Sequence, residues 1–230
     1  LTDMQPGGKL KPKNKEHPLK TLAASLAICA LLSGCNGIPT PFVNDPVYSQ
    51  FFVVNSGPPL PLMFQGSAIQ WNEDYAVTAK HIPFLWRVAH EGKGDIVFFK
   101  HKAKTVPKWR QYTDGERVTA VGFSPFLVPV KGSGHVLASR IVFSDRTDGV
   151  RYSASDAATT QGMSGGPVFA DDGNVVGMVT AFYPHRYSSK SEDPEIASKE
   201  RISIFMPYDE VQNEWDRFAK ESMAKAPDPK

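Results

Sequence analysis

Thr159-Thr160-Gln161-Gly162-Met163-Ser164-Gly165-Gly166-Pro167-Val168-Phe169 is the stretch that decides how the rest of the chain is read. It sets a serine among glycines and runs on into apolar, strand-forming residues. A serine nucleophile needs an exposed hydroxyl on a sharp turn, with backbone N–H groups aimed where negative charge develops. Gly162 permits the geometry that turns its N–H, with that of Ser164, toward one point, so both residues are candidate oxyanion donors. Gly165-Gly166 lets the following strand pass close to a bound chain. The competing reading is a Gly-rich hairpin with an incidental serine, and the pattern favours the nucleophile. The motif leads into strand residues rather than a helix, which disfavours the nucleophile elbow of an esterase on an unrelated fold.

A serine of this kind needs a base that takes its proton and returns it to the leaving group, a role suited to neutral histidine. Val77-Thr78-Ala79-Lys80-His81 presents a histidine at the end of an apolar run, 83 residues before Ser164. His90, His101, His135 and His185 are scattered without metal-ligand spacing, so no metal or other cofactor is expected. Trp71, Trp86, Trp109 and Trp215 read as core or interface residues.

Working outward, short β-branched and aromatic runs recur between turn residues: 68–71, 75–78, 95–99, 117–121, 137–143, 166–169, 175–180 and 202–206. Asp171-Asp172-Gly173-Asn174 between two of them marks a hairpin. Many short strands with polar turns indicate an all-β sandwich or barrel. Only 207–224 carries helical periodicity, with Tyr208, Val211, Trp215, Phe218 and Ala219 near a 3.6-residue repeat after Pro207.

Together these residues resemble the trypsin-like peptidases, most closely the HtrA-like branch, over roughly 64–212. The resemblance includes Gly66-Ser67-Ala68-Ile69 before the histidine strand and Gly115-Glu116-Arg117-Val118-Thr119-Ala120-Val121-Gly122-Phe123. Ser155-Asp156-Ala157-Ala158 falls where that branch has Thr-Asp-Ala-Ala, and Ile204-Phe205-Met206-Pro207 matches its domain end. The resemblance implies two six-stranded β-barrels with a C-terminal α-helix, and a serine endopeptidase with its site in the cleft between the barrels. It implies a catalytic His81, Asp95 and Ser164. The acid belongs after the histidine and before an apolar strand, as in Asp95-Ile96-Val97-Phe98-Phe99; Asp74 and Asp114 fit less well, and Asp156 matches a structural position. The gap from His81 to Asp95 is 14 residues, short for the family, so a trimmed first barrel is expected. Met163 also departs from the family's Asn or Asp.

By the same matching, Ala158, Thr159 and Gln161 form one side of the primary specificity pocket, and Thr180, Ala181 and Phe182 the other. No acid stands where trypsin-type enzymes bind Lys or Arg, and Val179 replaces the histidine of glutamyl endopeptidases. Small or medium apolar side chains are therefore expected before the scissile bond. A protease domain without the PDZ-like segment of HtrA relatives is expected, as is the rival possibility of a catalytically dead fold serving as a binding lipoprotein.

The formal charge of +2 is unevenly spread. Residues 1–34 hold five Lys against Asp3 and Glu16, or +3, leaving 21 basic and 22 acidic residues elsewhere. A near-neutral body lacks the basic stripe of a nucleic-acid binder. The basic leader precedes an apolar run, 22–32, too short to span a bilayer but suited to a signal peptide. It ends in Leu32-Ser33-Gly34-Cys35, which resembles the bacterial lipobox. The expected plan is a lipoprotein signal peptide (1–34), a Pro/Gly-rich tether (35–62) starting at a lipidated Cys35, a protease domain (63–222) and a polar tail (223–230). Cys29 and Cys35 are the two cysteines, so the mature domain has no disulfide. Asn36 rather than Asp after Cys35 favours the outer membrane, facing the periplasm. The partners expected are a polypeptide substrate and the membrane that holds the anchor.

Overall fold

The computed structural model describes residues 38–224, except 44, 59–62, 104 and 143–147. The expected signal peptide, Cys35 and residues 225–230 of the expected tail lie outside the described residues.

Among the described residues the chain is mostly strand. Five strands, β2 (Phe51–Ser56), β3 (Phe64–Gln70), β4 (Tyr75–Thr78), β5 (Val88–Glu91) and β6 (Val97–Lys100), form one antiparallel sheet in the order β2-β3-β4-β6-β5. A second sheet contains β1 (Thr40–Pro41), β7 (Arg117–Phe123), β8 (Pro129–Ile141), β9 (Tyr152–Ser155), β10 (Pro167–Ala170), β11 (Val175–Pro184) and β12 (Arg201–Pro207). Its order is β1-β8-β7-β10-β11-β12-β9, and β9 also pairs with β8. That last pairing closes six strands into a barrel and leaves β1 as an added edge strand. Two one-turn helices, α1 (His185–Ser188) and α2 (Pro194–Ala197), follow β11, and α3 (Tyr208–Ala224) follows β12.

The strands alternate their side chains between two apolar regions, as the period of two requires. Val118, Ala120, Val168, Ala170, Val176 and Val179 point into the closed barrel. Val121, Phe169, Val175 and Met178, on the same strands, join Ile69, Val77, Ile96 and Phe98 of the five-stranded sheet in the largest core cluster. Among the described residues, the other face of the five-stranded sheet buries a small apolar cluster, Ala68, Ala76 and Phe99. It is therefore held mainly through the shared core and through α3, whose Trp215 and Phe218 pack on Tyr75 and Phe98. Val211 of α3 is fully buried, as its periodicity predicts.

Two expectations change. The first sheet has five strands among the described residues rather than the six of the resemblance, because the short stretch 82–94 between His81 and Asp95 leaves room for a single four-residue strand, β5. The stretch 35–62, read as a tether, carries regular structure in its described part. β2 pairs with β3 from Phe51↔Ile69 to Ser56↔Phe64, and Phe42, Tyr48 and Phe51 pack against the main core. Its described prolines, Pro39, Pro41, Pro46 and Pro58, fall at β1 or outside β2, where they interrupt no central ladder. Of the tryptophans, Trp71, Trp109 and Trp215 belong to the core cluster, but Trp86 is exposed.

Candidate active site

His81 lies in the turn just beyond β4, after Ala79 and Lys80, and Asp95 lies just before β6, the strand hydrogen-bonded to β4. Adjacent strands thus bring the two residues together. His81 Nδ1 and Asp95 Oδ2 are 2.7 Å apart, and the His81 N–H donates to Asp95 Oδ1 at 2.9 Å. Asp95 is buried, while half of the His81 side chain is exposed. A carboxylate on Nδ1 places the proton there and leaves Nε2 to act as base. The Asp95 N–H donates to the Tyr152 hydroxyl at 2.8 Å, so β9 of the closed barrel fixes the acid from behind. From α3, buried Glu214 accepts the Lys93 N–H at 3.0 Å and steadies the same turn. Asp74 and Asp114 lie in exposed turns, and Asp156 accepts the His135 N–H at 2.7 Å instead. Burial opposes ionisation of Asp156, but that N–H and Lys199 outweigh it and hold its pKa below the ordinary value.

Ser164 lies on the loop before β10. Gly162 and Gly165 have φ of +87° and +83°, the left-handed region that the sequence reserved for glycine. A Cβ on Gly165 would fall 2.0 Å from the Ser67 carbonyl oxygen and 2.2 Å from Thr78 Oγ1. The N–H groups of Met163, Gly165 and Gly166 donate to Thr160, Val179 and Met163 carbonyls, at 3.2, 2.7 and 2.8 Å. Among the described residues no acceptor takes the N–H of Gly162 or of Ser164. The loop consumes its other donors and leaves these two for a ligand oxygen, the pattern an oxyanion hole needs.

Ser67, quoted above only for its likeness, organises this loop. Its N–H donates to the Ser164 carbonyl at 2.8 Å, and its hydroxyl donates to the Gly162 carbonyl at 2.9 Å while accepting the Phe123 N–H at 3.0 Å. The orienting signal was a small hydroxyl residue in Gly66-Ser67-Ala68, which sequence spacing alone does not connect to a loop 95 residues away. Met163 is fully buried in the closed barrel, and its sulfur lies 3.3 Å from the Thr160 N–H as a weak acceptor. Apolar packing thus holds the loop at this position.

Ser164 and His81 open onto one cleft of about 390 Å³, with Gly162 and Gln161 on the same wall. Among the described residues the Ser164 hydroxyl makes no hydrogen bond to His81. A hydroxyl–imidazole bond of the kind general-base chemistry uses is often long without substrate and tightens in its complex.

The residues matched to the specificity pocket come from two walls. Ala158, Thr159 and Thr180 are buried, Gln161 is exposed on the cleft, and Phe182 is partly exposed beyond a half-buried Ala181. Thr159 and Ser203 hydroxyls are 2.7 Å apart, and Thr180 donates to the Ile204 carbonyl at 3.2 Å. The Arg201 guanidinium links the walls by donating to the Thr159 carbonyl and lying 4.4 Å from the centre of the Phe182 ring. Burial holds the Arg201 pKa below the ordinary guanidinium value. Sequence matching did not bring Arg201 to this place, because it enters from β12.

The family model described as trypsin-like peptidase domain matches residues 94–178, which include Asp95 and Ser164. No curated protein matches the chain. Among solved structures, the chain is similar to a serine endoprotease from Yersinia pestis, at 16% identity and a TM-score of 0.57, over 80% of this chain and 69% of that one. It is similar to the Rv3671c protease of M. tuberculosis in an inactive form, at 16% identity and a TM-score of 0.55, over 79% of this chain and 98% of that one. An HtrA-type protease with a tripeptide aligns at 16% identity and a TM-score of 0.54, over 71% and 56%. The fold is thus the trypsin-like one, shared with HtrA-type serine proteases.

Proposed function

We propose that this chain is a serine endopeptidase working through Ser164, His81 and Asp95. The observation that carries the reading is the pairing of Asp95 with His81 on one side of a cleft whose other side offers Ser164 and two untaken N–H groups. His81 takes the Ser164 proton as the hydroxyl oxygen attacks a peptide carbonyl. The N–H groups of Gly162 and Ser164 receive the oxyanion, and Asp95 orients the ring and stabilises its charged form. Collapse of the intermediate passes the proton to the leaving amine, and water then hydrolyses the acyl-enzyme by the same route. All of these groups belong to the chain, so the mechanism calls on no cofactor.

The side chain before the scissile bond enters between Ala158–Gln161 and Thr180–Phe182. Small or medium apolar side chains suit these walls, and the Arg201 charge repels Lys and Arg there. The lipobox-like Leu32–Cys35 supports an anchor on Cys35, with the domain on the periplasmic side of the outer membrane. Metabolic labelling with a palmitate analogue and its loss in Cys35→Ser tests the anchor.

The second reading is a dead fold that binds without cleaving. It draws on the unmade Ser164–His81 bond and on Met163. Digestion of a peptide library by wild type and by Ser164→Ala separates the two. Cleavage only by the wild type supports the peptidase, and cleavage by neither supports the binding protein.

A further inference from the structure

The cleft does not stop at Ser164 and His81. It continues into an apolar recess that the triad does not use, walled by Met63 and Phe64 at the start of β3, Ile82 and Pro83 after His81, and Pro125 in the turn from β7 to β8. Phe84 extends this wall, its ring 5.8 Å from that of Phe64. Phe64 and Phe84 are 37% and 59% exposed, a contiguous apolar rim beside a polar centre.

The rim is held in place rather than left loose. Phe84 has φ of +56° and Leu127, in the turn that carries Pro125, has φ of +61°. Bulky residues rarely adopt this region, and such strain persists where the surroundings over-determine it, often at ligand clamps. The surroundings do so here. The Ser56 hydroxyl donates to the Pro83 carbonyl at 2.6 Å, and the Gln65 side-chain amide donates to the Ser124 carbonyl at 2.6 Å. Both strained turns are tied to the sheet that carries His81.

The chemistry says which part of a substrate meets this recess. His81 delivers its proton to the leaving amine, so the residue following the scissile bond departs past His81. Ile82 and Pro83 continue directly from that histidine, whereas Thr180–Phe182, beside the acyl portion, contributes nothing to the recess. Resting on the endopeptidase reading, we propose that the recess binds an aromatic or branched aliphatic side chain immediately after the scissile bond and makes the enzyme selective for it.

The test uses internally quenched peptides that differ only in that residue: Phe, Leu, Ser or Lys. Partial burial of one apolar side chain predicts kcat/KM for Phe and Leu about five- to tenfold above Ser. In the double variant Phe64→Ser, Phe84→Ser the ratio falls toward one. In Phe84→Glu, a single exposed change, Lys gains on Phe. A wild-type ratio near one, or a ratio untouched by both variants, overturns the proposal. If the wild type cleaves none of the peptides, the endopeptidase reading fails and the recess is tested separately. Fluorescence anisotropy on Ser164→Ala then compares the Phe and Ser peptides. Tighter binding of Phe that is lost on adding Phe84→Ser supports the recess, and equal binding contradicts it.

Discussion

Both carboxylate oxygens of Asp95 are committed to His81, Oδ2 to the ring at 2.7 Å and Oδ1 to the backbone N–H at 2.9 Å. The two contacts fix the acid against rotation and set ring and backbone of the histidine as one unit. The partners lie only 14 positions apart in the sequence, and that short connection still suffices because β4 and β6, which end beside them, are hydrogen-bonded neighbours.

Replacing Asp95 by Asn keeps the shape but offers the ring an N–H2 donor in place of an acceptor, which favours the wrong tautomer. Asp95→Asn is expected to lower kcat by about ten-thousand-fold with the fold intact. Steady-state kinetics on the best cleaved peptide, with circular dichroism alongside, checks this.

Ser67 holds the Gly162 and Ser164 carbonyls through its hydroxyl and its N–H. Ser67→Ala removes only the hydroxyl, freeing the Gly162 peptide and leaving the Phe123 N–H without its acceptor. The expected result is a kcat lowered by about tenfold with KM little changed, and a stability loss of about 1–3 kcal/mol. Kinetics and denaturant melts read the two effects separately.

Gly165→Ala places a Cβ against Ser67 and Thr78 backbone and side-chain oxygens at a φ no alanine favours. It is expected to lose activity and several kcal/mol of stability, of the order of a severe steric core lesion. Gly115→Ala is the control: its φ is +75° but no atom lies within 4 Å, so only the backbone penalty of about 1 kcal/mol applies. Thermal melts of the two variants isolate the close approach.

Arg110 pairs with Glu116 and with Asp172, tying the turn before β7 to the β10–β11 hairpin. Its hydrogen bonds hold Glu116 below the ordinary 4.5 and bring Asp172 from 3.8 to about 2. Depressed carboxylates stabilise the fold above their unfolded pKa, and that contribution disappears as pH falls through the folded value. The stability advantage of wild type over Arg110→Met should therefore be full above about pH 4.5 and shrink toward pH 2. The pair is partly exposed, so added salt should reduce the difference. Thermal melts across this range measure it.

Much of this was legible in the chain. Strong β runs such as Tyr75–Thr78 and the Asp-Asp-Gly-Asn hairpin were placed closely, because alternation and turn chemistry are local signals. The helix from Tyr208 was read from its apolar face. β2, β5 and β9 were missed for different reasons. β2 lies among prolines, β5 carries His90 and Glu91 in four residues, and Tyr152–Ser155 alternates with buried serines, of which Ser153 shares a hydrogen bond with the Tyr112 hydroxyl. Asp95 is legible as the acid ahead of a strand, but what fixes its turn is not: Tyr152 accepts its N–H and Glu214 that of Lys93, both from elements distant in sequence. Ser67 and Arg201 were equally out of reach, since each acts through a tertiary contact that no spacing encodes.

The central claim is that Ser164 is an activated nucleophile. Reaction with a fluorophosphonate, followed by mass spectrometry of the digested protein, tests it most directly. The account predicts one equivalent of adduct on Ser164, strongly reduced in Asp95→Asn and absent in Ser164→Ala. An unlabelled Ser164 in folded wild-type protein would contradict it.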